Sequence, residues 1–155
     1  MNQPIRIAFV CTGNTGRSVM SAALARHWCE TNGRAADIIS RGVSPTPEHV
    51  KPEPEAVALL AQIGLDVAAH RASPFATADA VRCDLILTAT AAHKATLLQR
   101  HPDIAAKTFT MCEYATGHHA DIADAFGQDQ PFYRRVLSQI DATIDPILRR
   151  ALKHP

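Results

Sequence analysis

This sequence lacks an excess of charge of either sign. Its 16 Lys and Arg residues nearly balance its 15 Asp and Glu residues, which gives a net charge of +1. Proteins that bind nucleic acids or anionic membranes usually present a strongly basic surface, so this balance argues against both classes of partner. Long hydrophobic runs are missing as well, since no apolar stretch approaches the roughly 20 residues that a membrane-spanning helix needs. With 46% hydrophobic and 20% charged residues, the composition is typical of a soluble globular protein.

Cysteine is scarce and widely spaced, and the four residues are Cys11, Cys29, Cys83 and Cys112. No C-x-x-C pair occurs, so the spacing does not indicate a zinc site, and nothing suggests export to a compartment where disulfides form. The first residues lead directly into a strand-like segment without the apolar core of a signal peptide. We therefore expect a cytoplasmic protein without a zinc site.

Short apolar segments alternate with helical patterns along the 155 residues. Such alternation produces parallel βαβ units with right-handed crossovers, so we predict one α/β domain, residues 1–155, with a four-stranded parallel sheet covered by helices on both faces, of flavodoxin-like type. The predicted strands are Ile5–Val10, Asp37–Ser40, Asp84–Thr88 and Lys107–Met111. The predicted helices are Val19–Asn32, Glu55–Ile63, Pro74–Val81, Ala91–Arg100 and Pro131–Leu152, and residues 115–130 are expected to form a loop.

The segment CTGNTGRS, from Cys11 to Ser18, separates the first predicted strand from the first predicted helix. A loop at the carboxyl end of a strand lies where open α/β sheets bind their ligands. Gly13 and Gly16 let the backbone curl so that successive N–H groups point inward, and the following helix adds its positive end. Arg17 can hold two oxygens at once with its planar fork. The segment is therefore predicted to bind a phosphate-sized anion.

Cys11 lies at the base of this anion-binding loop, where the positive field favours the nucleophilic thiolate. The Ser18 hydroxyl is placed to donate a hydrogen bond to that thiolate. A lone cysteine at a strand end is often only a small buried side chain, but the glycines, arginine and serine around this one favour a nucleophile. A nucleotide-binding P-loop would need a lysine and a longer glycine spacing, and both are missing.

The segment VCTGNTGRS closely resembles the active-site loop of the low-molecular-weight protein tyrosine phosphatases, and the resemblance covers nearly the whole chain. The segments IISRGVSP, IGLDVAAHRAS, DLILTATAAHKATL and DIADAFG resemble, in order, the family's second strand, the segment of its loop-supporting histidine, its third strand and its general-acid loop. The resemblance implies the phosphotyrosine protein phosphatase I fold and hydrolysis of phosphorylated proteins. It also implies that phosphate and other oxyanions bind in the loop and that the reaction needs no metal or cofactor.

The resemblance further implies the catalytic roles. Cys11 would attack phosphorus to form a phosphocysteine, while Arg17 and the loop amides stabilise the equatorial oxygens. Asp124 is the expected general acid and then base, ahead of its rivals Asp121 and Asp129. The family usually has proline after this acid, where this chain has alanine. The residues expected to bind substrate are Thr12, Gly13, Asn14, Thr15, Gly16, Ser18 and Phe126.

Residues behind the loop carry supporting roles by the same resemblance. Asn14 would hold the strained loop by bonding Ser40 and His70. Arg41 stands where the family has a small residue, so the packing there is expected to differ. Many members also have a second cysteine just before the loop arginine, which protects the nucleophile through a reversible disulfide. This chain has Gly16 there, so oxidised Cys11 is expected to lack that local protection.

The resemblance leaves the substrate open between two classes. Phosphotyrosine is the first expectation, because it is the commonest substrate of the family. Thr15 and Phe126, however, resemble the bacterial protein-arginine phosphatases of the same family, whereas tyrosine-directed members usually have an aliphatic residue in place of Thr15. Arsenate reduction is disfavoured, because that activity needs relay cysteines after the third strand and residues 88–93 contain none. A non-catalytic phosphate-binding module is disfavoured because the nucleophile, the arginine and the acid are all present.

Overall fold

The computed structural model describes residues 3–153, which form one parallel sheet with helices around it. The strand order is β2-β1-β3-β4, and every neighbouring pair is parallel. The predicted four-stranded parallel sheet is therefore confirmed, with strand ends shifted by one or two residues. The strands are β1 (Arg6–Cys11), β2 (Asp37–Gly42), β3 (Leu85–Thr88) and β4 (Thr108–Thr110).

The five predicted helices are all present, and two further helical segments lie on either side of β4. The α-helices are α1 (Arg17–Asn32), α2 (Pro54–Gln62), α3 (Thr77–Arg82), α4 (Ala91–Arg100), α5 (Met111–Thr116) and α6 (Gln130–Ala151), and a 3-10 helix spans Pro102–Lys107. The two unpredicted segments shorten the expected fourth strand at both ends. The Thr110 hydroxyl and the Glu113 carboxylate each accept a hydrogen bond from the other residue's backbone N–H, and this capping box starts α5 immediately after β4.

The sheet is buried on both faces, as expected for parallel strands. Successive side chains of β1 point to opposite faces, so Ile7 and Phe9 join one core while Ala8 and Val10 join the other, and all four are at most 1% exposed. The first core lies under α1, α2, α5 and α6, and the second lies under α3, α4 and the 3-10 helix. Helices on both faces are thus confirmed.

The strand order also places the candidate site. After β1 the chain moves to one side to form β2, and β3 then pairs with the opposite edge of β1. Open α/β sheets bind ligands at such a reversal, beyond the carboxyl ends of the strands. β1 ends there at Cys11, and the loop to α1 follows directly.

Three of the four cysteines, Cys29, Cys83 and Cys112, are buried among the residues of the two hydrophobic cores. Burial raises the pKa of Cys83 to about 11, and it also raises the pKa of Cys29 and of Cys112. These thiols therefore stay protonated at neutral pH and have little nucleophilic character.

No helix in residues 3–153 is long and apolar enough to cross a bilayer.

Candidate active site

The predicted nucleophile, Cys11, is buried at the base of the loop. Its Sγ lies 3.0 Å from Ser18 Oγ, as the sequence predicted. The Asn14 side-chain amide donates to the same oxygen at 2.8 Å. Because Ser18 accepts that bond, its own proton is available for donation to a Cys11 thiolate.

Asn14 holds the loop in a conformation that few residues adopt. Its φ is 58°, in the left-handed region, and its side chain is fully buried. The Ser73 backbone N–H donates to Asn14 Oδ1 at 2.9 Å, and His70 Nε2–H donates to the Asn14 carbonyl at 2.8 Å. Burial, the largest cause, lowers the pKa of His70, which favours the neutral ring that donates this bond. The expected contact with His70 is therefore present.

The expected contact between Asn14 and Ser40 is wrong, because Ser73 takes its place. The residues around Pro74 run beside the end of β2: Gly42 donates its N–H to the Ser73 carbonyl at 2.9 Å and accepts from Phe75 at 2.8 Å. This extra segment brings the Ser73 N–H to Asn14, while Ser40 lies within β2 with its side chain buried.

Gly42 allows β2 to approach the loop closely. A Cβ on Gly42 would lie 2.7 Å from the Thr12 carbonyl oxygen. This would be a steric clash, and a backbone oxygen cannot move aside as the end of a flexible side chain could. The preceding residue, Arg41, turns away from the loop, and its Nε lies 3.2 Å from Asp79 Oδ2. The Arg41 side chain, at the position where the family has a small residue, is thus held by Asp79.

Arg17 and Asp124 face each other across the site. The Arg17 guanidinium is buried and donates from Nη1 to the Ile122 carbonyl at 3.0 Å, while its Nη2 lies 3.6 Å from Asp124 Oδ2. Asp124 is exposed and accepts a hydrogen bond from the Phe126 backbone N–H at 3.0 Å. Ala125, which lies between Asp124 and Phe126 in the sequence, is 2% exposed. It therefore anchors the loop that carries Asp124 to the core without the family's proline.

The two rival carboxylates have structural contacts elsewhere. Asp121 accepts from the backbone N–H of Ala91 at the start of α4, and it lies 2.8 Å from His119 Nε2. Asp129 caps α6 by accepting from the Phe132 N–H at 3.0 Å. Of the three acids, only Asp124 lines the cavity at Cys11.

A cavity of about 200 Å³ opens above Cys11. Its rim carries the Phe126 ring, which is 56% exposed and contacts the edge of the His49 ring at a centroid distance of 5.8 Å. Asn14 and Ser18, which were expected to bind substrate, lie behind the wall of the cavity and support it. The lining residues are Cys11, Thr12, Gly13, Thr15, Gly16, Arg17, Ser44, Thr46, His49, Glu53, Asp124 and Phe126.

Sequence reasoning missed Glu53, the residue immediately before α2, whose side chain lines this cavity. Glu53 Oε2 accepts from Thr15 Oγ1 at 2.9 Å, and Oε1 accepts from the Tyr133 hydroxyl. Burial is the largest cause of the raised pKa of Tyr133, and the adjacent Glu53 raises it further, so this hydroxyl stays a donor. A Cβ on Gly16 would lie 2.6 Å from Glu53 Oε2, so the carboxylate occupies the space beside that glycine.

His93 was also missed, because a lone histidine in a helical pattern gives no functional signal. Its Nε2 lies 2.7 Å from Thr12 Oγ1, and its buried Nδ1 has no hydrogen-bond partner among residues 3–153. Burial and then the charge of Arg17 lower the pKa of His93 to about 4, so the ring is neutral at pH 7. It supports the loop without adding a second positive charge.

Comparison with known proteins gives one consistent result. The family described as "Low molecular weight phosphotyrosine protein phosphatase" matches residues 6–154. A protein-arginine-phosphatase of Bacillus subtilis is 33% identical over 95% of this chain and 97% of its own length. A probable low molecular weight protein-tyrosine-phosphatase, EpsP of Ralstonia nicotianae, is 31% identical over 90% of each chain. A solved YwlE arginine phosphatase mutant with a phosphorylated active-site serine superposes with a TM-score of 0.91, at 31% identity, over 96% of this chain and 97% of that one.

Proposed function

Because the chain belongs to the low molecular weight phosphotyrosine protein phosphatase family and is a cysteine-dependent protein phosphatase, we propose that Cys11 is its nucleophile. One observation carries this proposal: Cys11, Arg17 and Asp124 line a single cavity, although Asp124 lies more than a hundred residues further along the chain. A nucleophile, a fixed cation and an exposed acid on one cavity are the three groups that phosphoryl transfer through a phosphocysteine requires.

In the first step the Cys11 thiolate attacks phosphorus, so that the S–P bond forms while the bond from phosphorus to the leaving group breaks. Arg17 and the loop N–H groups stabilise the charge on the three equatorial oxygens. Protonated Asp124 transfers its proton to the leaving atom, so that an aryl phosphate releases a neutral phenol and a phosphoarginine releases a guanidinium cation. The Ile122 carbonyl orients Arg17 for this role through its 3.0 Å hydrogen bond.

In the second step a water molecule attacks phosphorus of the phosphocysteine. Asp124, now a carboxylate, accepts a proton from that water as the new P–O bond forms. The S–P bond breaks, its electron pair returns to Cys11 as the thiolate, and inorganic phosphate is released. Ser18, 3.0 Å from the sulfur, stabilises the returning thiolate by donating a hydrogen bond.

Phosphoarginine in proteins is the substrate that the cavity supports best. A phosphoarginine side chain places a planar cationic guanidinium directly beside phosphorus. The cavity offers this group an exposed aromatic face at Phe126, an Asp124 carboxyl oxygen that can accept while the other oxygen carries the proton, and a hydroxyl at Thr15. A guanidinium stacks on aromatic rings and donates hydrogen bonds to such oxygen acceptors. The B. subtilis relative named as a protein-arginine-phosphatase supports the same choice.

Phosphotyrosine is the second candidate, favoured by the exposed Phe126 ring at the rim and by the Ralstonia relative named as a tyrosine phosphatase. An aryl phosphate can stack on Phe126 as well. It has no N–H beside phosphorus, however, so the polar wall at Thr15 gives it no additional hydrogen bond.

The test is hydrolysis of two peptides of one sequence, carrying phosphoarginine or phosphotyrosine, by the wild-type protein and by Cys11→Ser. We expect wild-type kcat/KM to be at least about tenfold higher for phosphoarginine, and turnover of both by Cys11→Ser to fall by several orders of magnitude. Residual activity in Cys11→Ser would contradict the mechanism. A wild-type preference for phosphotyrosine would contradict only the substrate.

A further inference from the structure

The least expected side chain in the cavity is that of Glu53, because glutamate is not a preferred residue type at its position, the start of α2. Glu53 is the N-cap of α2, where Ser, Thr, Asp and Asn are preferred, and its side chain makes no capping bond. Its backbone N–H instead donates to the Thr15 carbonyl at 2.8 Å. Its carboxylate binds the Thr15 hydroxyl in addition. A residue that breaks a local preference and gains contacts at a site is a candidate for function.

Both hydroxyl groups at this carboxylate must be donors. A carboxylate has only acceptors, and each hydroxyl has one proton and two lone pairs. Tyr133 therefore donates its proton to Glu53 Oε1, and Thr15 donates its proton to Oε2 at 2.9 Å. Since its proton is committed to Glu53, Thr15 can present only lone pairs to the cavity that it lines.

The charge of Glu53 also bears on substrate choice. No Lys, Arg or His of residues 3–153 lies within salt-bridge distance of its carboxylate. A carboxylate without a cationic partner beside the phosphate-binding loop repels a phosphate dianion, and a substrate that carries its own cation next to phosphorus offsets part of this repulsion. A guanidino phosphate does so, and an aryl phosphate does not.

We propose that Glu53 is a positioning residue that fixes the Thr15 hydroxyl as a hydrogen-bond acceptor and thereby selects substrates with an N–H and a positive charge beside phosphorus. This inference rests on the proposed phosphoarginine activity and deepens it. The Thr15 oxygen accepts from a guanidinium N–H, and the Glu53 carboxylate attracts the same cation. An aryl phosphate gains neither interaction.

The test compares kcat/KM of the phosphoarginine and phosphotyrosine peptides for Glu53→Gln, with Glu48→Gln as the matched control. Glu48 is exposed and does not line the cavity, so its variant loses the same charge away from the site. kcat/KM covers the steps through cleavage of the substrate's P–N or P–O bond and excludes the shared hydrolysis of the phosphocysteine. We expect Glu53→Gln to lose about tenfold to a hundredfold on phosphoarginine, the size of one hydrogen bond to a charged group. The phosphotyrosine value should stay equal or rise, and Glu48→Gln should match wild type.

A double-mutant cycle with Thr15→Val separates positioning from general damage. If Glu53 acts partly through Thr15, the combined loss in the double variant is smaller than the product of the two single losses. Glu53→Ala, which removes the carboxylate without adding an amide donor, is the second variant and should reproduce the loss of selectivity. Turnover of p-nitrophenyl phosphate and the melting temperature report folding for each protein.

The outcomes separate this inference from the proposed function. A wild-type protein that does not prefer phosphoarginine would contradict the substrate proposal. A wild-type protein that prefers it, with the preference unchanged in Glu53→Gln and in Glu53→Ala, would overturn only the role of Glu53. Equal losses on both peptides and on p-nitrophenyl phosphate would likewise overturn it, because they would indicate a purely structural residue.

Discussion

The backbone N–H of Ser73 donates a 2.9 Å hydrogen bond to the side-chain oxygen of Asn14, across 59 residues of sequence. Asn14 lies in the loop between β1 and α1 with a φ of 58°. Through its side chain it also donates to Ser18, the residue that contacts Cys11. The Asn14 side chain thus links the conformation of the loop to the position of Ser18, the hydrogen-bond partner of Cys11.

Replacing Asn14 should therefore reduce both stability and turnover. Asn14→Ala loses two buried hydrogen bonds and puts alanine, which tolerates the left-handed region less well than asparagine, at a φ of 58°. We therefore expect the free energy of unfolding to fall by about 2–4 kcal/mol. kcat should fall as well, because Ser18 loses its orientation. Denaturant unfolding and phosphatase assays measure the two effects. Asn14→Gly is the matched control: it tolerates the positive φ and should be more stable than Asn14→Ala by about 1 kcal/mol.

Asp124→Asn should slow reactions in proportion to how much the leaving group needs a proton. With a poor leaving group, such as the phenol of phenyl phosphate, we expect kcat/KM, which excludes the shared hydrolysis of the phosphocysteine, to fall about 10²–10⁴-fold. With p-nitrophenol, which leaves as a stable anion, the loss should be much smaller. Asp121→Asn serves as the control, because Asp121 binds the start of α4 and does not line the cavity. If its losses, rather than those of Asp124→Asn, depended on the leaving group, the acid would have been assigned to the wrong residue.

Peroxide should oxidise Cys11 past the sulfenic acid, because no neighbouring thiol is available to convert that state into a protective disulfide. Gly16 provides no thiol beside Cys11, and the other three cysteines are buried with raised pKa values. We expect mass spectrometry to find sulfinic and sulfonic acid at Cys11 and no disulfide, with incomplete recovery by dithiothreitol. Cys112→Ala should behave like wild type. An intramolecular disulfide to Cys11 would show that one of the core thiols becomes accessible.

Stability should fall as the pH is lowered from about 6.5 to about 4. The pKa of His93 is about 4 in the folded protein and 6.5 in a model peptide, so the unfolded chain binds more protons between these values. The free energy of unfolding therefore rises with pH in this window, by about 3 kcal/mol at most from His93, and His70 adds to it in the same direction. His93→Gln, which keeps an amide near Thr12 and does not titrate, should flatten the pH dependence of denaturant unfolding. An unchanged slope would remove His93 from this explanation.

The elements that the sequence predicted well are those with a strong local signal. β1 alternates between two buried faces, and α4 has the predicted boundaries because Thr90 caps its start. The ends of the fourth strand were wrong because two short helical segments adjoin it. Such segments carry too few residues for a periodic pattern, although the Thr110 and Glu113 capping box was present in the sequence.

The sequence by itself determined the proposed phosphate-binding loop, because Cys11, the two glycines, Arg17 and Ser18 lie within eight consecutive residues between a strand and a helix. Only the tertiary structure decided which distant side chains complete the site. Glu53 meets Thr15 across 38 residues and Tyr133 across 80, and Ser73 displaces Ser40 as the partner of Asn14. Such contacts depend on how whole helices and strands pack against each other, and a local pattern of residues does not predict that packing.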